Sequence, residues 1–265
     1  MTHLTGRSRG PARAARGFTF VEILVAMLIG LFLIGGMLTL VQAMRRTFTS
    51  QSGLSVLQDN ERMAMQLITD VVQSTGYYTT PLSNSAVASF PAAVYGDANF
   101  TFAGQALTGT GTFGVPNHDI TSRYQTAGGD NIINCTGNTS TLPVTWVNEF
   151  SITTDPSGIS YLTCNLWVNN NAQPTTVALI PGVTNLQILY GVTTGNGAAY
   201  NSIDTYLDAS TVTNWGSVRS VQVTLTFANP VCGQPGQSTC AQLGLASSIY
   251  FTRIITVMSK TGVTT

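Results

Sequence analysis

The chain of 265 residues has room for an N-terminal segment and one domain of about 170–200 residues. Only 8% of its residues are charged, well below the average of about 25% for globular proteins, and Ser, Thr, Asn, Gln and Gly take their place, as suits an exported β-rich surface. The net charge is zero, but without the four arginines of the first 16 residues it is −4, so nucleic-acid binding has little electrostatic support and only a weak contact with DNA stays open.

Residues 18–44 form a run of 27 residues with a single charge, Glu22, and they follow a purely basic leader. A helix of this length spans a hydrocarbon core of about 30 Å, because each residue adds about 1.5 Å. A carboxylate inside such a span costs about 2.5–3.5 kcal/mol at the bilayer centre and less near an end, so we expect Glu22 to have a function. Four arginines before the run, against Arg45 and Arg46 after it, favour a cytoplasmic N-terminus.

The junction between leader and run reads Arg16-Gly17-Phe18-Thr19-Phe20-Val21-Glu22, and it resembles the processing site of a type IV prepilin. The resemblance implies that prepilin peptidase cuts after Gly17, that the new N-terminal Phe18 is methylated, and that Glu22 helps dock the subunit into a filament. A secretory signal peptide is an alternative, but its apolar region runs about 7–15 residues and rarely carries an acid near its start. An ordinary single-pass anchor is another, and it explains the apolar run but neither the junction nor Glu22.

Residues 47–78 are predicted to continue the helix with one apolar face. Residues of that face recur at helical spacing: Leu57, Ala64, Ile68 and Val71. Ser52-Gly53 predicts a bend near the start of this part, and Gly76 predicts the end of the helix.

From residue 79 onward the sequence predicts an exported domain rich in β-structure. Residues 79–127 indicate long loops with short strands. A hairpin is predicted over 151–163, with its turn at Asp155-Pro156-Ser157-Gly158. Strands are predicted at 186–190, 218–227 and 249–258, and a short helix at 203–212.

All four cysteines lie beyond the apolar run, at Cys135, Cys164, Cys232 and Cys240. An even number on the exported side indicates disulfides, although four cysteines allow three connectivities. The short polar loop between Cys232 and Cys240 favours that pair, which leaves Cys135 with Cys164. Zinc is the rival interpretation, but no CxxC pair occurs and the exported part has one histidine, His118.

Several stretches of the exported part resemble PilW-type minor pilins. They are Leu57–Ala64 with Gly76-Tyr77, His118–Gly137, Leu162–Asn165, Val183–Gly191 and Val218–Val223. The resemblance implies an α+β, type IV pilin-like fold: a leader (1–17), a transmembrane or filament-core helix (18–46), an amphipathic continuation (47–78) and a β-rich globular domain (79–265) packed as an antiparallel sheet on the helix. The chain departs from the family at residues 192–197, where relatives often carry an Asp-rich, calcium-like loop, and at 257–260. Only Asp204 and Asp208 follow, so no metal is expected there.

Other chemical motifs are weak. Gly109–Gly114 matches GxGxxG but leads into Val115-Pro116, so a flexible loop is expected instead of a dinucleotide site. His118 and Asp119 are neighbours in a loop or strand, where adjacent side chains point to opposite faces. Trp146, Trp167 and Trp215 are expected in the core or at its rim. We therefore expect no catalytic residues, no metal and no cofactor.

The resemblance implies a minor pilin that acts by assembly and not as an enzyme. Its expected partners are other minor and major pilins, the prepilin peptidase and methylase, and the inner-membrane pilus assembly platform. The expected location is the inner membrane, crossed once, with the domain exported and incorporated in the pilus. A J-like pseudopilin of type II secretion and a tip adhesin or ligand-binding module are the alternatives.

Overall fold

The computed structural model describes residues 17–169, 171–193, 202–232 and 239–258. The leader arginines Arg7, Arg9, Arg13 and Arg16, most of the 192–197 segment and Lys260 lie outside these residues. The elements in chain order are α1 (Phe20–Ser74), α2 (Ala86–Ser89), β1 (Ala93–Tyr95), β2 (Ala98–Phe100), β3 (Leu107–Thr110), β4 (Asp119–Thr126), β5 (Val144–Thr154), β6 (Ser160–Val168), β7 (Thr175–Pro181), β8 (Val183–Val192), β9 (Thr205–Leu207), a 3-10 turn (Trp215–Ser217), β10 (Val218–Ala228), α3 (Cys240–Leu243) and β11 (Ser248–Thr256). A long apolar helix followed by antiparallel sheets confirms the α+β, pilin-like fold class.

The helix α1 is continuous over 55 residues, about 80 Å at the usual rise. Ser52 and Gly53 lie inside the helix and do not interrupt it, and the bend expected there stays a prediction. Gly53 allows a close approach: a Cβ built there would lie only 3.0 Å from the Cβ of Pro230. The chain divides into two compact units, Met1–Ser50 and Gln51–Thr265, so the boundary falls within α1.

The second half of α1 buries one face, as its spacing predicts. The buried residues are Leu57, Ala64, Met65, Ile68, Val71 and Val72. The helix ends at Ser74, and Gly76 follows with φ of 77°, a conformation that glycine adopts without steric cost. The Gly76 N–H donates to the Arg123 carbonyl (3.0 Å), which ties the end of the helix to β4.

Two antiparallel sheets share one main core with this helical face. The five-stranded sheet has the order β3-β4-β5-β6-β7, and the four-stranded sheet has the order β11-β10-β8-β9. The predicted alternation in residues 218–227 is confirmed, since Val221, Val223, Leu225 and Phe227 are all buried. The hairpin predicted over 151–163 is also confirmed: β5 and β6 pair as far as Thr154 and Ser160.

Two predictions about the connecting segments need correction. The short helix predicted at 203–212 is absent from the described residues 202–212, which contain the strand β9 and a turn around Asp208. Residues 79–127 hold the predicted loops and the short strands β1, β2 and β3, but β4 is longer than predicted, with eight residues that are mostly buried. Its polar sequence conceals this burial, since the outer face of β4 is covered as well.

A second, smaller core explains why that outer face is buried. Tyr95, Ala98 and Phe100 of the β1–β2 hairpin pack with Val147 and Trp167 on the side of the sheet away from the main core. Each sheet face of the central strands therefore contacts protein.

Arg123, a residue of β4, hydrogen-bonds to the segment that covers this outer face of the sheet. Only 2% of its surface is exposed, and its Nε, Nη1 and Nη2 donate to the carbonyls of Gln105 (2.7 Å), Pro91 (2.7 Å) and Phe90 (3.2 Å). The guanidinium carbon lies 4.2 Å from the centroid of the Phe100 ring. Burial lowers the pKa of Arg123 to about 10, which leaves it protonated at neutral pH.

Candidate assembly site

The start of α1 presents the residues of the predicted processing junction. Gly17 and Phe18 precede the helix, and Phe18 is 78% exposed. A Cβ built at Gly17 would have no atom within 4 Å. The bond between these two residues is therefore accessible in this structure.

Thr19 caps the helix, a role that the sequence analysis missed. Its carbonyl accepts from the N–H groups of Glu22 (3.0 Å) and Ile23 (3.2 Å), and its hydroxyl accepts from Glu22 N–H (3.4 Å). The signal was present, because Thr followed three residues later by Glu is the pattern of a capping box. The cap fixes where the helix begins, two residues after Phe18.

Glu22 lies in the first turn of α1, where the helix dipole favours a negative charge. Its neighbours Phe20, Val21 and Ile23 are all exposed, so its carboxylate stands on an apolar surface. Gly17, Phe18 and Glu22 are thus brought together within one short stretch of chain.

The apolar surface continues along the first half of α1. Between Phe20 and Thr49 every residue except the half-buried Gly30 is exposed. Among the described residues, α1 is the one helix that is long and apolar enough to cross a membrane, judged by length and composition. A surface of this kind must be covered by lipid or protein.

The four cysteines form two disulfides, all within the unit that begins at Gln51. Cys135 pairs with Cys164, and Cys232 pairs with Cys240. Cys135 and Cys164 are completely buried, which suits a structural bond and not a reactive one. Disulfide bonding is confirmed, and these are the two pairs that the sequence favours.

His118 and the GxGxxG string both make contacts between strands. His118 is buried; Ile188 N–H donates to its Nδ1 (3.1 Å), and its Nε2 lies 3.1 Å from the Thr112 carbonyl. Gly109 belongs to β3, not to a free loop, and a Cβ there would lie 2.6 Å from the Asp119 carbonyl oxygen and collide with the Tyr190 hydroxyl. The start of the GxGxxG string therefore serves close packing between strands.

Asp208 follows residues 192–197, where relatives often carry a calcium-like loop, and its carboxylate is engaged in hydrogen bonds within the domain. Asp208 accepts hydrogen bonds from Ser210 Oγ (2.6 Å) and from the N–H groups of Phe113 (3.0 Å) and Thr211 (3.0 Å). These hydrogen bonds, that of Ser210 foremost, lower the pKa of the carboxyl. Within the described part of the chain, no group of three or more His, Cys, Asp or Glu side chains is arranged to hold a metal ion.

The tryptophans take the positions expected of core and rim residues. Trp146 and Trp167 are buried, and Trp215 is half-buried with its ring edge-on to Tyr190, at a centroid distance of 4.8 Å. Trp146 belongs to the main core, Trp215 packs at the rim of the same core, and Trp167 belongs to the smaller core.

Comparison with known proteins gives two matches to family models. Residues 149–247, from within β5 to the segment after α3, match Type IV Pilus-assembly protein W. Residues 12–38, which include Gly17, Phe18 and Glu22, match the prokaryotic N-terminal methylation motif. No curated protein and no solved structure matches the chain significantly.

These matches support a minor-pilin role in a type IV pilus, with a membrane context and other pilins as partners. They point to a structural component and not to an enzyme. Over these two stretches the chain is similar to PilW-type pilus-assembly proteins and to prepilins, and its exposed apolar helix followed by antiparallel sheets is a pilin-like architecture.

Proposed function

We propose that this minor pilin is cleaved after Gly17, methylated on Phe18, and drawn into the pilus by Glu22. The observation that supports the proposal is the start of α1, where an accessible Gly17–Phe18 bond precedes a capped helix with Glu22 in its first turn. The prepilin peptidase and methylase, and then the inner-membrane assembly platform, are the partners in these steps.

Cleavage would create the charge that Glu22 needs. An α-amino group has a pKa of about 7.7–8.0, so the new amine is largely positive at neutral pH. When the apolar helices pack together, an unpaired carboxylate is costly, and the amine of a neighbouring subunit neutralises it. Ala26 and Gly30, four residues apart, allow a close approach between helices.

The site of action that fits this chemistry is the small complex that primes the filament at the inner membrane and is carried at its tip. The domain from about residue 79 onward then supplies contacts with neighbouring subunits, while residues 18–46 enter the filament core. The domain is exported, and the chain crosses the membrane once before incorporation.

Replacing Glu22 tests the proposal. We expect Glu22→Ala to leave cleavage intact and to remove the chain from sheared filaments, because losing one partner of a buried pair costs about 3–5 kcal/mol. Mass spectrometry of membrane and filament fractions would measure the mature N-terminus, its methylation and the abundance of the chain. Glu61→Ala, on the same helix but in its second half, is the matched control.

Two results would contradict the proposal. One is Glu22→Ala protein present in filaments at the wild-type level. The other is natural protein that still begins at Met1. If deletion of the chain abolished secretion of an enzyme and left pili intact, the chain would instead belong to type II secretion.

A further inference from the structure

The strand β11 ends the four-stranded sheet with an open edge of nine residues. It pairs with β10 in continuous register from Ser220↔Thr256 to Ala228↔Ser248. The sheet order places no described strand on its other side. An open edge of this length is a template for pairing with another chain.

The direction of the free backbone groups follows from the pairing with β10. Val257 N–H donates to the Arg219 carbonyl, and at the other end Asn229 N–H donates to the Ser247 carbonyl. Both bonds join odd-numbered residues of this segment to β10. In an antiparallel pair the bonding direction alternates, so the N–H and C=O groups of Tyr250, Thr252 and Ile254 point away from β10.

The usual protections of an edge strand are mostly missing from β11. It contains no proline and no lysine, and its register with β10 shows no bulge. Its outer face carries Tyr250, which is 73% exposed, and Ile254, which is 59% exposed. Both residue types favour strands and pack well against a cross-strand neighbour.

Arg253 is the only charge on the strand, and it indicates the chemistry of the partner. It lies opposite the buried Val223, on the face of the sheet that turns toward the core. Among the described residues, Arg253 has no carboxylate partner within salt-bridge distance. An inward-facing charge discourages indiscriminate pairing, and it favours a partner strand with an acidic side chain at that position.

We infer that β11 takes an added antiparallel strand from a different pilin subunit, one whose strand aligns an Asp or Glu with Arg253 between apolar or β-branched residues. This inference rests on the proposed function, because it names a partner for the domain. A second copy of this chain fits less well: pairing centred on Thr252 would place Phe251, and no acid, opposite Arg253.

A photoreactive benzoylphenylalanine at Tyr250 in the full-length chain, expressed in the native host, tests the inference. Tyr77, which is exposed at the end of α1, is the matched control position. We expect an adduct from position 250 with another pilin, mapped by mass spectrometry to an extended segment that contains an acid. We expect no such adduct from position 77.

Two substitutions examine the mode of binding. Thr252→Pro removes an N–H that points to the open edge and leaves the ladder with β10 intact, whereas Thr252→Val keeps the N–H and loses only the hydroxyl contact with Thr224 (2.8 Å). We expect Thr252→Pro and Arg253→Glu each to reduce the adduct about tenfold, and Thr252→Val to preserve it. If Thr252→Pro lowers the melting temperature of the chain, Arg253→Glu decides the result.

The inference is overturned by no adduct at position 250, by an adduct with a second copy of this chain, or by an adduct that survives both Thr252→Pro and Arg253→Glu. These failures leave the chain in the filament fraction with a processed N-terminus. Failure of the proposed function would instead show as absence of the chain from filaments, so the two outcomes are distinguishable.

Discussion

At the scale of single residues, the carboxyl groups of Glu149 and Asp119 are both largely removed from solvent. Glu149 accepts from Asn165 Nδ2 (2.7 Å), and Asp119 accepts from Thr110 Oγ1 (2.9 Å), beneath the β1–β2 hairpin. Burial raises the pKa of Glu149, and the negative charge of Asp119 adds to the effect. Burial is also the main cause of the raised pKa of Asp119. Both groups are therefore easier to bury when protonated.

The pH dependence of stability follows from this direction. A carboxyl whose folded-state pKa is raised stabilises the fold fully below its ordinary pKa, near 4.5 for Glu149, and that contribution is lost as pH rises through the raised value. We therefore expect Glu149→Gln to match the wild type near pH 4 and to gain free energy of unfolding relative to it as the pH increases to 7. The glutamine oxygen can still accept from Asn165.

Chemical denaturation of the full chain in detergent at several pH values measures this difference. Glu61→Gln, which removes one carboxylate from α1, is the control. A Glu149→Gln variant that is less stable than the wild type at pH 7 would show that the charge is needed in the folded state.

At the scale of elements, each disulfide ties a connecting segment to another part of the domain. Cys135, in the connection between β4 and β5, is tied to Cys164 of β6 across 29 residues, and Cys232, after β10, is tied to the start of α3 across 8 residues. Pro230, two residues before the second disulfide, packs against Gly53 of α1. The longer loop constrains the unfolded chain more strongly.

Removing each disulfide should show this difference. In the chain-entropy model the loop closed by Cys135 and Cys164 is worth about 3.5 kcal/mol, and the loop closed by Cys232 and Cys240 about 2.5 kcal/mol. The double alanine variant at 135 and 164 should lose still more, because both cysteines are buried and a cavity remains. Denaturant unfolding compares the two double variants, and a larger loss at 232 and 240 would refute the ranking.

At the scale of the whole molecule, the chain consists of two units with different needs. Every buried apolar residue among those described lies at or after Leu57. The first unit, Met1–Ser50, contributes no described side chain to the core, so its helix depends on lipid or on other subunits for cover.

This division predicts that the second unit folds alone. A chain that starts at Gln51 should be soluble and monomeric, should form both disulfides, and should unfold in one cooperative transition, because it keeps the whole main core. Size-exclusion chromatography, mass spectrometry under non-reducing conditions and thermal denaturation measure these properties. Aggregation, or loss of near-ultraviolet circular dichroism, would show that residues before Gln51 support the fold.

Much of the architecture could be predicted because it depends on periodicity. The alternation from Val221 to Phe227, the helical spacing from Leu57 to Val71 and the Asp155–Gly158 turn each reflect one local rule. The candidate site at Gly17, Phe18 and Glu22 stays a prediction, and it could be made because one short stretch of sequence carries the whole motif that resembles a prepilin junction.

The features that were missed depend on contacts between distant segments. The polar sequence of β4 does not indicate that Arg123 is buried under Phe90 and Phe100, and nothing near Gly109 in the sequence indicates Tyr190. The segment 203–212 was mistaken for a helix because β9 gains its strand conformation by pairing with β8. Such pairing is a tertiary effect that short-range propensity does not contain.

The unbroken hydrogen bonding of α1 has a consequence for the energetics of moving between surroundings. Between the first and last turns of α1 the backbone amides hydrogen-bond within the helix. For these residues, a subunit that leaves a bilayer for a bundle of similar helices exchanges only side-chain contacts. Lipid tails and neighbouring leucines are about equally apolar, which makes that exchange nearly balanced. A nearly balanced exchange proceeds in either direction under a small free-energy bias.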